Sequence, residues 1–108
     1  MNATVLLIQQ TAVRNEFSVF MSIGDSREQF TFTVDLPQQE PFFVVSGDDR
    51  CCQIFRFNQQ ISAKVGELVG EIYLGKRVEF PAHLGTFLTP EEAIAMQKPF
   101  PKQPALKR

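Results

Sequence analysis

The spacing of apolar residues changes period partway along the chain. Phe30, Phe32, Val34 and Leu36 alternate with Gln29, Thr31, Thr33 and Asp35, the period-two signature of a strand with one face in a core. Phe17, Val19, Met21 and Ile23 alternate in the same way with Ser18, Phe20 and Ser22. Between the two segments, Gly24-Asp25-Ser26 supplies the positive φ that a tight hairpin needs. Thr4 to Thr11 predicts a further strand, turning at Arg14-Asn15-Glu16. Pro37 and Pro41 then bracket a polar stretch in which neither proline can donate a ladder hydrogen bond. Beyond it Phe42 to Ser46 runs apolar, Gly47-Asp48-Asp49 reads as a turn, and Cys51 to Phe57 reads as the returning arm of a second hairpin. In that arm Cys51, Gln53, Phe55 and Phe57 would share one face, with Cys52, Ile54 and Arg56 on the other. Strands in succession joined by short turns predict an antiparallel meander.

Ile61, Val65, Leu68, Val69 and Ile72 fall instead on one stripe of an amphipathic helix, Gln59 to Leu74, with Lys64, Glu67 and Glu71 on the neighbouring polar side. Gly75 suits the position just past the helix end, and Lys76 and Arg77 suit its negative pole. Gly66 and Gly70 each cost about 1 kcal/mol relative to alanine inside a helix. The rival arrangement stops the helix near Leu68 and makes Glu71 to Phe80 a hairpin turning at Gly75-Lys76. Val78 to Phe80 reads as a short extended piece and Pro81, His83 and Gly85 as a loop. Thr89-Pro90-Glu91-Glu92 then opens a short helix that stops before Pro99: threonine caps it, proline suits its first turn, and Glu92 completes a capping box.

Together these elements predict an α+β domain over residues 1–97: five or six antiparallel strands covered on one face by one helix, with a short C-terminal helix. Residues 98–108 read as a flexible, proline-rich, basic tail. Length agrees, since 108 residues make one core without metal or disulfide staples. Nothing in the sequence reads as a signal peptide or transmembrane segment, and the adjacent cysteines cannot staple distant parts of a secreted fold, which predicts a cytoplasmic location and no membrane partner.

Charge and composition narrow the chemistry. The net charge of −1 excludes strong whole-chain attraction to nucleic acid or acidic membrane. Lys98, Lys102, Lys107 and Arg108 nevertheless put +4 into the tail, while residues 1–97 carry seven basic and twelve acidic side chains, or −5. Such a tail can tether an acidic surface or a nucleic acid, though four charges bind weakly at physiological salt. Eleven Phe, no Trp and one His favour core over acid–base chemistry. Cys51 and Cys52 lack the intervening residues of a redox or zinc pair, and on a strand they would point to opposite faces. If a redox or metal site existed, these two and His83 would form it. The acidic pairs Asp48-Asp49 and Glu91-Glu92 are accounted for by a turn and a helix start.

After structural roles are assigned, no catalytic constellation remains, and the sequence calls for neither cofactor nor metal. What remains is Ala63, Gly66 and Gly70, a small-residue back nearly opposite the apolar stripe, able to seat another helix. Strand edges and a second sheet face also need cover. The expectation is a non-enzymatic protein-interaction module, a homodimer or an accessory, regulatory subunit of a larger complex. The alternatives are a nucleic-acid accessory protein using the basic tail, and a small cysteine-dependent or metal-binding protein.

Overall fold

In the computed structural model, which describes residues 1–36 and 42–97, β1 (Asn2–Gln10), β2 (Glu16–Ile23), β3 (Ser26–Asp35) and β4 (Val44–Gly47) form an antiparallel meander. β5 (Ala82–Thr86) joins the free side of β1, giving the order β4-β3-β2-β1-β5 in a sheet curled into a half-barrel. Among the described residues three helices complete the α+β fold: α1 (Asp49–Ile54), α2 (Gln59–Tyr73) and α3 (Pro90–Gln97). The basic tail lies outside the described residues.

Alternation along β2 and β3 produces the inner face. Phe17 pairs with Phe32 and Val19 with Phe30, and all four are buried. Such aromatic and β-branched pairs each contribute about 0.2–1 kcal/mol. Gly24, at φ 59, makes the two-residue turn between the paired ends Ile23 and Ser26. In β1 a register shift between Val5 and Leu7 lets Val5 and Ile8 both face the core although they are three residues apart. The outer face sets Ser18 against Thr31 and Glu16 against Thr33, a polar surface that water can cover.

The segment expected as a second hairpin arm is helical. Cys51 and Phe55, four residues apart and both buried, share a face under either period, so the apolar pattern there does not discriminate strand from helix. Asp48 does. One carboxylate oxygen accepts the Cys51 amide at 2.8 Å, capping α1, and the other accepts the Thr31 amide at 2.8 Å, tying the helix start to β3. Replacing Asp48 by alanine removes the cap and leaves a β3 donor without its partner. We expect a loss of about 1–2 kcal/mol, read as a shift in the urea midpoint.

α2 runs the full length of its apolar stripe, burying Ile61, Val65 and Val69 against the sheet. It ends as a Schellman motif: the Lys76 amide donates to Glu71 O and the Gly75 amide to Ile72 O, both at 2.9 Å, with Gly75 at φ 86. That closure replaces the alternative hairpin over Glu71 to Phe80. The segment expected as a loop around His83 is strand β5, paired with β1 from Asn2–Thr86 to Val5–Ala82. Pro81 and Gly85 act as breakers in the middle of a sheet, but here they stand just before an edge strand and at its register irregularity. The capping box of α3 forms as its sequence implies: Thr89 N–H donates to Glu92 Oε1 at 2.9 Å and Glu92 N–H donates to Thr89 Oγ1 at 3.2 Å. Hydrogen bonds from Thr89 hold the Glu92 carboxyl below its ordinary pKa. The box therefore supports α3 at neutral pH, and that support is lost as pH falls through the lowered value. No helix among the described residues is long and apolar enough to cross a membrane.

Candidate functional site

β4 is a sheet edge only four residues long, and α2 lies alongside it. The strand and helix run in opposite directions, with Phe43 beside Gly70 and Val45 beside Gly66. Small residues on this side of α2 leave a trough between helix and strand. A groove of about 640 Å³ results, its apolar walls including Phe32, Phe43, Val45 and Leu74. Ala63, Gly66 and Gly70 line its helix side, and Glu67 and Glu71 stand on the rim. At the Gly47 end the groove reaches Cys51 and Cys52 on α1.

The glycine positions are not equivalent. A Cβ at Gly66 would sit 3.8 Å from Val45, in ordinary contact, whereas one at Gly70 would sit 3.1 Å from the Phe43 ring, which would have to give way. The Phe43 ring is held by Tyr73, centroids 5.5 Å apart, and Tyr73 in turn meets Phe17 edge-on at 6.5 Å. Gly66→Ala should therefore raise stability by about 0.5–1 kcal/mol through helix propensity, and Gly70→Ala by clearly less. Paired thermal melts read the difference.

The small-residue stripe expected from the sequence thus faces this groove. Gly70 lies buried beneath Phe43, Gly66 is half-buried, and Ala63 is exposed. Phe43 and Val45 were legible only as part of an apolar run, whose alternate members Phe42 and Val44 are exposed. Glu67 and Glu71 follow Ala63 at i+4 and i+8, a spacing that already placed them beside the small-residue stripe.

The other sequence-derived positions do not converge. Cys51 is buried, and its thiol is pushed up to about 12, first by burial and then by the Asp48 carboxylate and Cys52. A thiol so protonated is a poor nucleophile. Cys52, one helical position on, is exposed. His83 belongs to β5, at the opposite sheet edge from β4, where its Nδ1 and Thr4 Oγ1 share a hydrogen bond of 3.0 Å. Among the described residues no group of three or more His, Cys, Asp and Glu side chains could hold a metal ion. Lys98, Lys102, Lys107 and Arg108 lie outside the described residues. No protein-family model matches the sequence, and no curated protein matches it.

Proposed function

We propose that this chain is a non-enzymatic protein-interaction module, working as a homodimer or as an accessory, regulatory subunit of a larger complex, with the β4–α2 groove as its binding element. The observation that carries this reading is the pairing of an apolar sheet edge, uncovered among the described residues, with a trough lined by small residues. Phe42 and Val44 are 53% and 41% exposed beside it. An exposed sheet edge accepts an extended partner segment. The carboxylates Glu67 and Glu71, with no basic side chain among the described residues that line the groove, favour a partner carrying Lys or Arg.

A photo-reactive side chain at Ala63 tests it, since that residue is exposed and lines the groove. We expect cross-links to a second copy or to another protein from Ala63, and none from the exposed Gln9 on the opposite side of the sheet's order. Gly66→Leu should fill the trough, preserve folding, and weaken the captured association about tenfold, or about 1.4 kcal/mol. Equal capture from Ala63 and Gln9, or capture unchanged by Gly66→Leu, would overturn the proposal.

A further inference from the structure

We infer that β4 takes up an extended, basic segment of another protein as a sixth strand of the sheet, its backbone bonded to Val45 and its Lys or Arg side chains reaching Glu67 and Glu71. The inference rests on the groove being the binding element and adds how the partner is held and which chemistry it carries.

Two hydrogen bonds of β3 set the backbone direction along the edge. The Val34 amide donates to Asn15 O at 2.9 Å, toward β2, and Thr31 O accepts the Asp48 amide at 2.9 Å, toward β4. Polar groups of successive strand residues point to opposite edges, so Thr33 and Asp35 turn theirs toward β4, to their register partners Ser46 and Val44. Val45 and Gly47, opposite Val34 and Phe32, therefore turn their N–H and C=O groups out of the sheet. Cys52 Sγ stands 3.9 Å from Gly47 O, and a thiol is a weak donor. The Val45 N–H and C=O have no partner among the described residues. A strand laid beside β4, about 4.8 Å away, satisfies both.

Side chains then select the partner. Val45 lies over Gly66 and Gly70, 3.8 Å from the place of a Cβ on either. Residues directly opposite on paired strands project to the same face, so the added residue beside Val45 also points over α2. Val65 and Glu67 flank Gly66, each about 100° round the helix. Val65 is buried against the sheet, so Glu67 stands beyond the small residues on the far side, and Glu71 follows one turn on. Alternate side chains of the added strand thus project between β4 and these two carboxylates. The one ion pair among the described residues joins Arg50 to Glu28, which leaves both carboxylates without a cation there. A second copy does not supply one: the edge strands Val44–Gly47 and Ala82–Thr86 carry no Lys or Arg. A copy joined through its own β4 would set the same carboxylates facing them. A segment of another protein with Lys or Arg at alternate positions is complementary.

A phage library of random heptapeptides, selected on the full chain, tests the inference. Enriched peptides should carry Lys or Arg two positions apart, among β-branched or aromatic residues. The tightest of them, labelled with fluorescein, is then titrated by anisotropy. N-methylation of alternate residues removes the donors from one edge of a strand only, so one alternation should weaken binding at least about tenfold and the other leave it within about twofold. Glu67→Gln/Glu71→Gln should weaken it about three- to tenfold and flatten its salt dependence. Val45→Pro deletes the outward donor and spares the ladder to β3, so it should abolish binding in a chain that still melts cooperatively. If that variant unfolds, the two N-methylated peptides decide the matter. A library that yields no peptide, or peptides without alternating basic residues, would overturn the inference. Equal effects of the two alternations, or indifference to the double glutamine variant, would do the same. So would self-association of the parent chain, seen by sedimentation and lost in Val45→Pro, because a second copy would then hold the edge. In each of those cases, selective capture from Ala63 leaves the interaction reading standing. If Ala63 also captures nothing selectively, both fail.

Discussion

Phe55→Ala is expected to cost about 3–5 kcal/mol, a large part of the 5–15 kcal/mol typical of a domain, whereas Phe57→Ala should stay within about 0.5 kcal/mol. Phe55 is 2% exposed at the end of α1. Its ring meets Phe30 of β3 edge-on at 5.6 Å and Phe87, just beyond β5, at 5.8 Å. Truncating it leaves a cavity between sheet, helix and C-terminal segment that rigid strands on one side cannot close. Phe57 is 39% exposed, with the Arg56 guanidinium over its ring at 5.0 Å. Urea denaturation of the two variants reads the difference, and thiol counting adds a second channel. Cys51 lies one helical turn before Phe55, so the variant should expose a second reactive thiol where the parent has one. Equal costs would mean that Phe55 and Phe57 share a face, as a strand through this segment would require, and would contradict α1.

That contrast also shows which parts of the fold the sequence makes legible. β2 and β3 carry enough consecutive alternating positions that no helical period fits them, and the Ile61–Ile72 stripe covers enough turns that no strand period does. Short segments lack that redundancy. In α1 the buried pair Cys51 and Phe55 satisfies both periods, and the decision falls to a carboxylate whose second partner, the Thr31 amide, is seventeen positions away. β5 is hidden for a related reason. Its strand character is conferred by pairing with β1 across most of the chain length, while its own residues, between a proline and a glycine, signal a break. The groove was half legible. Ala63, Gly66 and Gly70 stand out on a helical wheel, but that they face β4, and not a second helix, depends on how the meander brings Phe43 and Val45 over them.

Replacing Asn58 should cost about 2–4 kcal/mol, depending on the residue put in its place. Asn58 occupies the position before α2 where asparagine is a favoured cap, yet its side chain makes no cap bond. Buried at 7% exposure, it instead donates through Nδ2 to Leu88 O at 2.9 Å and accepts the Leu88 amide through Oδ1 at 2.8 Å. One amide group thus clamps both polar groups of a backbone position thirty residues away, between Phe87 in the core and the start of α3. Asn58→Ala orphans both groups and should cost about 2 kcal/mol. Asn58→Asp keeps the acceptor but sets a carboxylate against Leu88 O, and should cost about 3–4 kcal/mol at neutral pH. That loss should shrink in acid: burial raises the introduced carboxyl above its unfolded pKa, so protonation favours the folded chain and restores a donor. Asn58→Ser separates clamp from cap. Serine caps helices well but cannot reach both Leu88 groups, so it should lose about as much stability as alanine. Chemical denaturation of the three variants at pH 7 and pH 4 decides the point, since a serine variant as stable as the parent would make Asn58 an ordinary cap. The clamp seats Leu88, and with it the α3 terminus, beside the first turn of α2. Its loss should therefore also raise amide exchange in α3 before the sheet opens.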